Sequence, residues 1–280
     1  MNEYKGPCDL HIHSNFSDSD ADIESIFNYA KEKNMRCLAI TDHDTVSGLS
    51  KALSLSRSLN MEFIEGIEFS AQHRNSEVHI LGYFINSTNE KLIDQLAVIK
   101  DLRKERILIM ADKLNGLGLS VDKDEFLSRL TNTVATRLHL ALYLVEKNQV
   151  RSLKEVFGKF LSPGRPAYQS RLKHSVKDVV RMIKDVGGLT FIAHPHMLID
   201  QSWVQEFIGF GLDGLEVSYP GMSEARSSMY SNIATKHNLL KSGGSDAHGS
   251  YKAYTSIGCV DVPYQWVQEM KNRLASVELA

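Results

Sequence analysis

The sequence predicts an α/β barrel-like core that is interrupted by an inserted helical segment. Short apolar runs alternate with helical patterns through about the first 90 residues, and this alternation returns after residue 174. Only helical patterns lie between these two parts. A chain of 280 residues suits one large domain or a core domain that carries an insertion. We therefore expect a discontinuous barrel at 1–99 and 174–280, with a helical cap at 100–173.

The predicted elements follow this division along the chain. The first part holds strands at 8–13, 36–41, 62–68 and 77–85, and helices at 22–34 and 45–59. The second part holds strands at 189–193, 214–218 and 239–242, and helices at 176–186 and 224–237. In and next to the insertion we predict helices at 90–117, 123–130, 136–147 and 153–160, separated by glycine and proline residues.

Charge is distributed unevenly along the chain. The net charge of −2 does not by itself predict a polyanion as partner. The segment 100–173, however, carries 15 Lys and Arg against 8 Asp and Glu, whereas the rest carries 17 against 26. A basic insertion over an acidic body indicates an anionic ligand between them, although a solvated helical surface explains the pattern equally well.

Cysteine usage and hydropathy indicate a cytoplasmic protein. Cys8, Cys37 and Cys259 are odd in number and far apart, which argues against a disulfide framework and a C-x-x-C zinc site. No apolar run approaches 18 residues, and the first residues lack the apolar stretch of a signal peptide. We expect no membrane contact. Because a chain of this length folds without a staple, a bound metal is expected to serve chemistry.

Histidines and acidic residues stand at or near the ends of the predicted strands. His11 and His13 lie two apart on the first strand, so both side chains point to the same face. The other strand-end residues are His43, Glu68, His79, His194, Asp246 and His248. The carboxyl ends of parallel barrel strands meet on one face, so these residues can share one site. Imidazole and carboxylate without thiolate suit Mn²⁺, Fe²⁺ or Zn²⁺ in hydrolysis.

Each of these residues also has an ordinary structural explanation. His79 is compatible with a buried core histidine, Glu68 with a surface residue and Asp246 with the N-cap of a turn. A single H-x-H pattern arises more often by chance than as a metal site. Six of the eleven histidines in the chain stand at or near strand ends, and taken together they favour a metal site.

The motifs D-L-H-I-H-S-N-F-S-D, T-D-H-D-T, G-I-E, H-I-L-G-Y, A-H-P and G-S-D-A-H, in this order, resemble those of the PHP (polymerase and histidinol phosphatase) family. This resemblance implies a distorted (β/α)₇ barrel and metal-dependent phosphoester hydrolysis. T-R-L-H-L-A and F-G-K-F-L-S-P-G-R-P-A-Y in the insertion resemble a narrower branch, the bacterial 3′,5′-nucleotide bisphosphate phosphatases and 5′-to-3′ exoribonucleases.

The resemblance implies three metal positions, with Mn²⁺ expected and Fe²⁺ or Zn²⁺ as alternatives. The first is held by His11, His13, Glu68 and Asp246. The second is held by Glu68, His79 and His194. The third is held by Asp18, His43 and His248. It also implies that Glu68, Asp246 and His248 take part in catalysis, which begins with attack of a metal-bridging hydroxide on phosphorus.

Charge balance also favours three ions. Three divalent cations bring +6, and the three acids with one hydroxide bring −4, which leaves +2 to match a phosphate dianion. Two cations would leave no surplus. No protein nucleophile is required, in agreement with the lack of a G-x-S-x-G or P-loop motif.

Four residues of the insertion are candidates for substrate binding. Arg137 can bind a phosphate bidentately and is the candidate for the second, uncleaved phosphate of a bisphosphate. His139 follows two positions later, and an ordinary helix start is the alternative for both. Arg165 and Tyr168 are expected at the edge of the pocket, with core packing as the alternative for Tyr168.

Other residues near the motifs have open roles. Asp42 and Asp44 flank His43 and can orient ligand imidazoles, or Asp44 can cap the following helix. Ser19 stands where the family usually has glycine, so its backbone conformation is expected to be harder to adopt. His196 is compatible with a proton donor, an additional ligand or a bystander.

The favoured function is hydrolysis of nucleotide phosphate esters. The substrates are expected to be 3′,5′-nucleotide bisphosphates, with release of the 3′-phosphate, or short RNA trimmed from its 5′ end. Histidinol-phosphate phosphatase is one alternative, and a metal-loaded regulatory module without turnover is another. A pI near 6.6 without an extended basic tract argues against long duplex nucleic acid. Oligomeric state stays open.

Overall fold

The computed structural model describes residues 7–131, 133–170, 174–252 and 255–278. Seven strands form one sheet in the order of the chain. The strands are β1 (Cys8–Ile12), β2 (Cys37–Ile40), β3 (Glu62–His73), β4 (Ser76–Tyr83), β5 (Leu189–Ile192), β6 (Gly214–Ser218) and β7 (Leu240–Gly243). None of the helices in these ranges is both long and apolar enough to cross a membrane.

The sheet curls into a nearly closed barrel. The segment that follows β7 lies beside β1, where His13 N–H donates to Ala247 O (3.0 Å) and Asp246 N–H donates to His11 O (2.7 Å). These bonds bring the first and last motifs of the sequence together. The α/β barrel expected from the sequence is therefore confirmed.

One strand runs against the others. β1, β2 and β3 are parallel, as are β5, β6 and β7, but β4 is antiparallel to both β3 and β5. β3 and β4 form a hairpin whose turn contains Arg74 at φ 52°. The strand predicted at 62–68 thus ends five residues too early, and the sequence pattern does not predict this hairpin. Because β4 is reversed, the beginning of β4 lies at the barrel end where the parallel strands finish, and His79 joins the same face.

Ten α-helices are described in these ranges. They are α1 (Ile23–Glu32), α2 (Leu49–Leu59), α3 (Glu90–Gly116), α4 (Lys123–Ser128), α5 (Arg137–Glu146), α6 (Leu153–Val156), α7 (Val176–Lys184), α8 (Trp203–Gly209), α9 (Glu224–Lys236) and α10 (Tyr264–Glu278). Of these, α8 and α10 were not predicted from the sequence. The predicted helix at 153–160 is instead α6 followed by a π-helical turn at Phe157–Leu161. The predicted helix at 45–59 begins only at Leu49, with Gly48 at its N-cap.

Helix α3 joins two hydrophobic clusters. Its first half buries Leu92, Leu96 and Ile99 in the cluster that α1, α2, α7, α8 and α9 form against the sheet. Its second half buries Met110 and Leu114 in a separate cluster with residues of α4, α5 and α6. The inserted helices therefore have an apolar core of their own, and α3 contributes to this core as well as to that of the barrel.

Candidate metal centre

Glu68 lies at the centre of five imidazoles. Its Oε2 is 3.4 Å from His11 Nε2, 3.2 Å from His13 Nε2 and 3.1 Å from His43 Nδ1. Its Oε1 is 3.0 Å from His79 Nδ1 and 3.1 Å from His194 Nε2. The carboxylate is 1% exposed, so these contacts form in an environment almost free of bulk water.

Two further carboxylates extend the cluster. Asp246 Oδ1 is 3.5 Å from His11 Nε2, 3.2 Å from His13 Nε2 and 3.5 Å from His248 Nδ1. Asp18 lies between the remaining rings, with Oδ1 3.3 Å from His248 Nε2 and Oδ2 3.7 Å from His43 Nε2. All nine residues predicted as ligands thus converge at one end of the barrel.

The ligand atoms fall into three groups, each within 4.8 Å. The groups are His11, His13 and Asp246; His43, Glu68 and His79; and His13, Asp18, His43 and His248. They overlap only in part with the three positions that the resemblance implies: Glu68 is absent from the first group, His43 replaces His194 in the second, and His13 is added to the third. His194 stands outside the groups and reaches the cluster through its contact with Glu68.

The donor set fits divalent cations. His11 Nε2, His13 Nε2, Asp18 Oδ1 and His43 Nδ1 are buried and have no hydrogen-bond partner among the described residues. Leaving buried polar atoms unpaired is costly unless another group satisfies them. Metal bonds of about 2.0–2.2 Å separate neighbouring ligand atoms by about 2.8–3.6 Å. The contacts of Glu68 and Asp246, at 3.0–3.5 Å, lie in this range.

The cluster keeps its carboxylates ionised. Burial alone raises the pKa of Glu68, but the surrounding histidine rings hold this pKa well below its usual range. Burial lowers the pKa of His43 to about 3, so this ring is neutral. Burial alone lowers the pKa of His79, but the carboxylates of Glu68 and Glu77 raise this pKa to about 10. Metal ions must displace such protons, because only a neutral imidazole nitrogen can ligate.

Left-handed backbone conformations occur at two of these residues. His194, directly after β5, has φ 31°, and Asp246 has φ 49°. Residues other than glycine adopt such angles at a cost of about 1–3 kcal/mol, which surrounding contacts must offset. Ser19, in contrast, has a negative φ, so the expected strain at this position is absent.

The two acids beside His43 hold the loops around the site. Asp42 accepts hydrogen bonds from Ser14 N (2.7 Å) and from the hydroxyls of Ser14 and Ser17. Asp44 accepts from Ser70 N (2.9 Å) and pairs with the guanidinium of Arg103. The capping role considered for Asp44 is wrong, because α2 begins five residues later with Gly48 at its N-cap. His196 packs its ring 5.0 Å from that of Tyr219, and its role stays open.

A small cavity of about 100 Å³ lies between the metal cluster and the inserted helices. Asp18, His43 and His79 line its barrel side, and Arg137 lines the opposite side. The Arg137 guanidinium is 5.8 Å from the centre of the Tyr168 ring, and its Nη2 is 3.9 Å from Glu77 Oε1. This places Arg137 where a ligand in the cavity can reach it.

The other insertion candidates are placed differently. His139 Nδ1 accepts a hydrogen bond from Thr136 N–H (3.2 Å) in the capping box of α5. This nitrogen therefore has the structural role at a helix start that was the alternative to substrate binding. Arg165 lies exposed in the turn after the π-helical segment and does not line the cavity. Tyr168 is half-buried against the apolar core of the insertion. Substrate contacts by these three residues remain predictions.

Three charged residues of the cavity were missed in the sequence. Arg103 and Arg106 are 4% and 6% exposed and line the cavity beside Arg137. Arg106 Nη2 donates to Glu77 Oε2 (3.1 Å), while Glu77 Oε1 is 3.3 Å from His79 Nε2. Both arginines lie on the buried face of α3, at the same helical spacing as the apolar residues of that face. Arginine at a core position of a helix is the signal that could have identified them.

Comparisons with known proteins agree with this geometry. A 3′,5′-nucleoside bisphosphate phosphatase of Chromobacterium violaceum is 31% identical over 257 residues, covering 89% of this chain and 90% of the relative. A 5′-3′ exoribonuclease of Haemophilus influenzae is 29% identical, covering 86% of this chain and 89% of the relative. The structure of a candidate metal-dependent phosphoesterase from Bifidobacterium adolescentis has a TM-score of 0.87 at 26% identity, covering 98% of both chains.

The family model of the PHP domain matches residues 9–162, from β1 through the inserted helices. This match covers more than half of the chain, and its first part contains His11, His13, Asp18, His43, Glu68 and His79. With the 31% identity to the bisphosphate phosphatase over nearly the whole length, it shows that the chain belongs to the PHP domain family.

Proposed function

We propose that this metal-dependent phosphoesterase of the PHP family removes the 3′-phosphate from 3′,5′-nucleotide bisphosphates and trims short RNA from its 5′ end. The observation that carries the proposal is the position of Arg106 and Arg137 across a small cavity from the Glu68 cluster. An anionic substrate can place one phosphate at the cluster and a second phosphate against these arginines. The names of the two curated relatives support the same substrate classes.

We assign the metal-binding role to His11, His13, Asp18, His43, Glu68, His79, His194, Asp246 and His248. When bound, divalent cations, for which we propose three Mn²⁺, lower the pKa of a water molecule and polarise the phosphoryl oxygens. The chain contributes ionised carboxylates and neutral imidazole nitrogens that hold the cations, and burial that excludes other water. Asp246 Oδ2 also accepts from the Tyr219 hydroxyl (2.6 Å) and pairs with Lys252, which keeps Oδ1 directed at His11 and His13.

The inserted helices, which we propose as a cap over 100–173, supply substrate binding. Arg137 and Arg106 face a common carboxylate, Glu77, whose pKa is held well below its usual range by His79 and the two guanidinium groups despite its burial. A phosphate dianion entering the cavity gains charge-assisted hydrogen bonds from arginines that are already held in place. The small cavity favours a nucleotide or the end of a short strand over a duplex.

A substrate panel tests this proposal. The purified chain is supplied with Mn²⁺, Fe²⁺ or Zn²⁺, and phosphate release is measured from 3′,5′-nucleotide bisphosphates, 5′-phosphorylated RNA of two to five nucleotides and histidinol phosphate. We expect turnover of the first two classes and loss of it in Glu68→Gln. Turnover of histidinol phosphate alone would reassign the substrate. No turnover of any phosphoester by a metal-loaded chain would favour the regulatory module.

A further inference from the structure

A fourth buried carboxylate, Glu216 on β6, contacts the metal centre without belonging to it. Its side chain is 0% exposed, and none of the three groups of ligand atoms includes it. β6 is the one strand for which the sequence analysis found no ligand. A carboxylate in this position needs partners, because burial without them is strongly unfavourable.

The first partner of Glu216 is the ring of His11. Glu216 Oε1 is 2.9 Å from His11 Nδ1, and since a carboxylate oxygen accepts, Nδ1 carries the proton. In the neutral ring the lone pair is then on Nε2, the buried atom that faces Glu68 and Asp246 and has no hydrogen-bond partner among the described residues. Glu216 thus selects the tautomer of His11 that can ligate a metal from this nitrogen.

The second partner is the backbone of His194. The His194 N–H donates to Glu216 Oε2 at 2.5 Å. His194 is also the residue with φ 31°, a backbone angle that is unfavourable for residues other than glycine. In this conformation His194 Nε2 lies 3.1 Å from Glu68 Oε1, whereas His11 faces the other oxygen, Oε2. One carboxylate therefore holds two residues that approach the cluster from β1 and from the end of β5.

We infer that Glu216 is a positioning residue of the metal centre, which orients His11 and His194 toward different ions at the same time. The inference rests on the metal-binding role proposed above for these two histidines. Partners of this kind hold the ring of a ligating histidine in orientation, and their removal lowers metal affinity by about 10- to 100-fold. Here both oxygens are used, so a replacement must satisfy two donors at once.

Glutamine at this position is the sharpest test because it keeps the size and removes one acceptor. Its amide can accept from His194 N–H or from His11 Nδ1–H, and the NH₂ group then faces the other donor. Asp213→Asn is the matched control. Asp213 precedes β6 at its opposite end, where it accepts from Thr190 N (2.9 Å) and so also joins β5 to β6, and the structure gives it no contact with the metal cluster.

The experiment measures metal binding in the full chain rather than turnover. Protein stripped with a chelator is titrated with Zn²⁺ against a fluorescent competitor, and histidine ring nitrogens are followed by NMR with ¹⁵N-labelled histidine. We expect Zn²⁺ affinity to fall about 10- to 100-fold in Glu216→Gln, with one protected Nδ1–H resonance lost. Asp213→Asn should retain both the affinity and the resonance.

The outcomes separate this inference from the proposed function. Equal affinity in Glu216→Gln and the wild type, or an equal loss in Asp213→Asn, would overturn the positioning role. A wild-type chain that takes up no divalent metal would overturn the proposed function itself. If Glu216→Gln did not fold, Glu216→Asp would test the positioning role instead. Aspartate keeps both acceptor oxygens, but its side chain is one methylene shorter, so these oxygens lie farther from His11 and His194. A normal affinity there would contradict the inference, and a loss with the fold intact would support it.

Discussion

Glu68 shows how much one side chain can organise when water is excluded. Its two oxygens contact five imidazoles, and its isolation from solvent makes each of these interactions stronger than at the surface. Divalent cations bound here would satisfy both the carboxylate and the unpaired nitrogen atoms around it. The residues around Glu68 are expected to contribute unequally to catalysis and substrate binding, and single substitutions can measure each contribution.

His43 contributes to two of the three groups of ligand atoms. We expect His43→Ala to lower kcat by at least about 100-fold, because electrostatic stabilisation at a reacting phosphate is of this order. Steady-state kinetics at saturating Mn²⁺ measure the effect. His237→Ala, at the C-terminal end of α9, is the control and should keep wild-type kcat. An unchanged kcat in His43→Ala would remove this ring from the catalytic centre.

Arg137 should act on substrate binding more than on the chemical step. A charge-assisted hydrogen bond is worth about 1.5–3 kcal/mol, so Arg137→Ala should raise KM for bisphosphates about 10-fold or more. KM for the corresponding monophosphates should change much less. The comparison uses initial rates on both substrate types, with exposed Arg181→Ala as control. Equal increases for both substrate types would contradict a contact with the second phosphate.

Among the elements, α3 has two functions that its length makes possible. Its apolar residues belong to the barrel core at one end and to the core of the insertion at the other. Between them, Arg103 reaches Asp44, Ser70 Oγ and the carbonyl oxygen of Ala135. The helix thereby holds the loop that carries His43 in a defined position relative to the inserted helices.

The seam between β1 and β7 depends on a glycine. A Cβ atom at Gly244 would lie 2.4 Å from both the backbone nitrogen and the Cβ of His11, and neither can move without shifting β1. We expect Gly244→Ala to reduce the free energy of unfolding by at least about 1–3 kcal/mol and to weaken metal binding.

Urea unfolding of metal-free protein measures the effect of Gly244→Ala separately from its effect on metal. Gly116→Ala is the matched control, because nothing lies within 4 Å of its Cβ position at the end of α3. It should be neutral or stabilise by up to about 1 kcal/mol. Equal free energies of unfolding for Gly244→Ala and the wild type would show that β1 can shift enough to accommodate the added methyl group.

For the whole molecule, metal and fold should be linked. Ligands that bind only the folded state stabilise it by about 2.7 kcal/mol per site at one hundred times Kd. We expect chelation to lower Tm by several degrees, and excess Mn²⁺ to restore it. Scanning calorimetry with increasing Mn²⁺ gives this dependence, with Mg²⁺ as a comparison. A Tm that is the same with chelator and with Mn²⁺ would mean that the cluster folds equally well without cations.

Sequence reasoning identified the barrel and brought nine separate residues to one site. It succeeded because each motif is local: His11 and His13 share a strand face, and His43 lies three residues after the end of β2. It failed for the direction of β4 and the hairpin with β3, since pairing is decided by the partner strand and not by a strand's own pattern. It also missed Arg103, Arg106 and Glu216, whose partners lie on other elements.

The sequence by itself determined which residue types stand at the strand ends, and these predicted divalent cations and hydrolysis. The resemblance of its motifs to the PHP family added the phosphoester as the expected substrate. Only the tertiary structure decided how those residues divide among three groups, that arginines face them across a cavity, and that Glu216 holds His11 from 205 positions away. The physical reason is range. Periodicity records which side of its own element a residue occupies, whereas hydrogen bonds and charge pairs depend on distances that exist only after the barrel has closed.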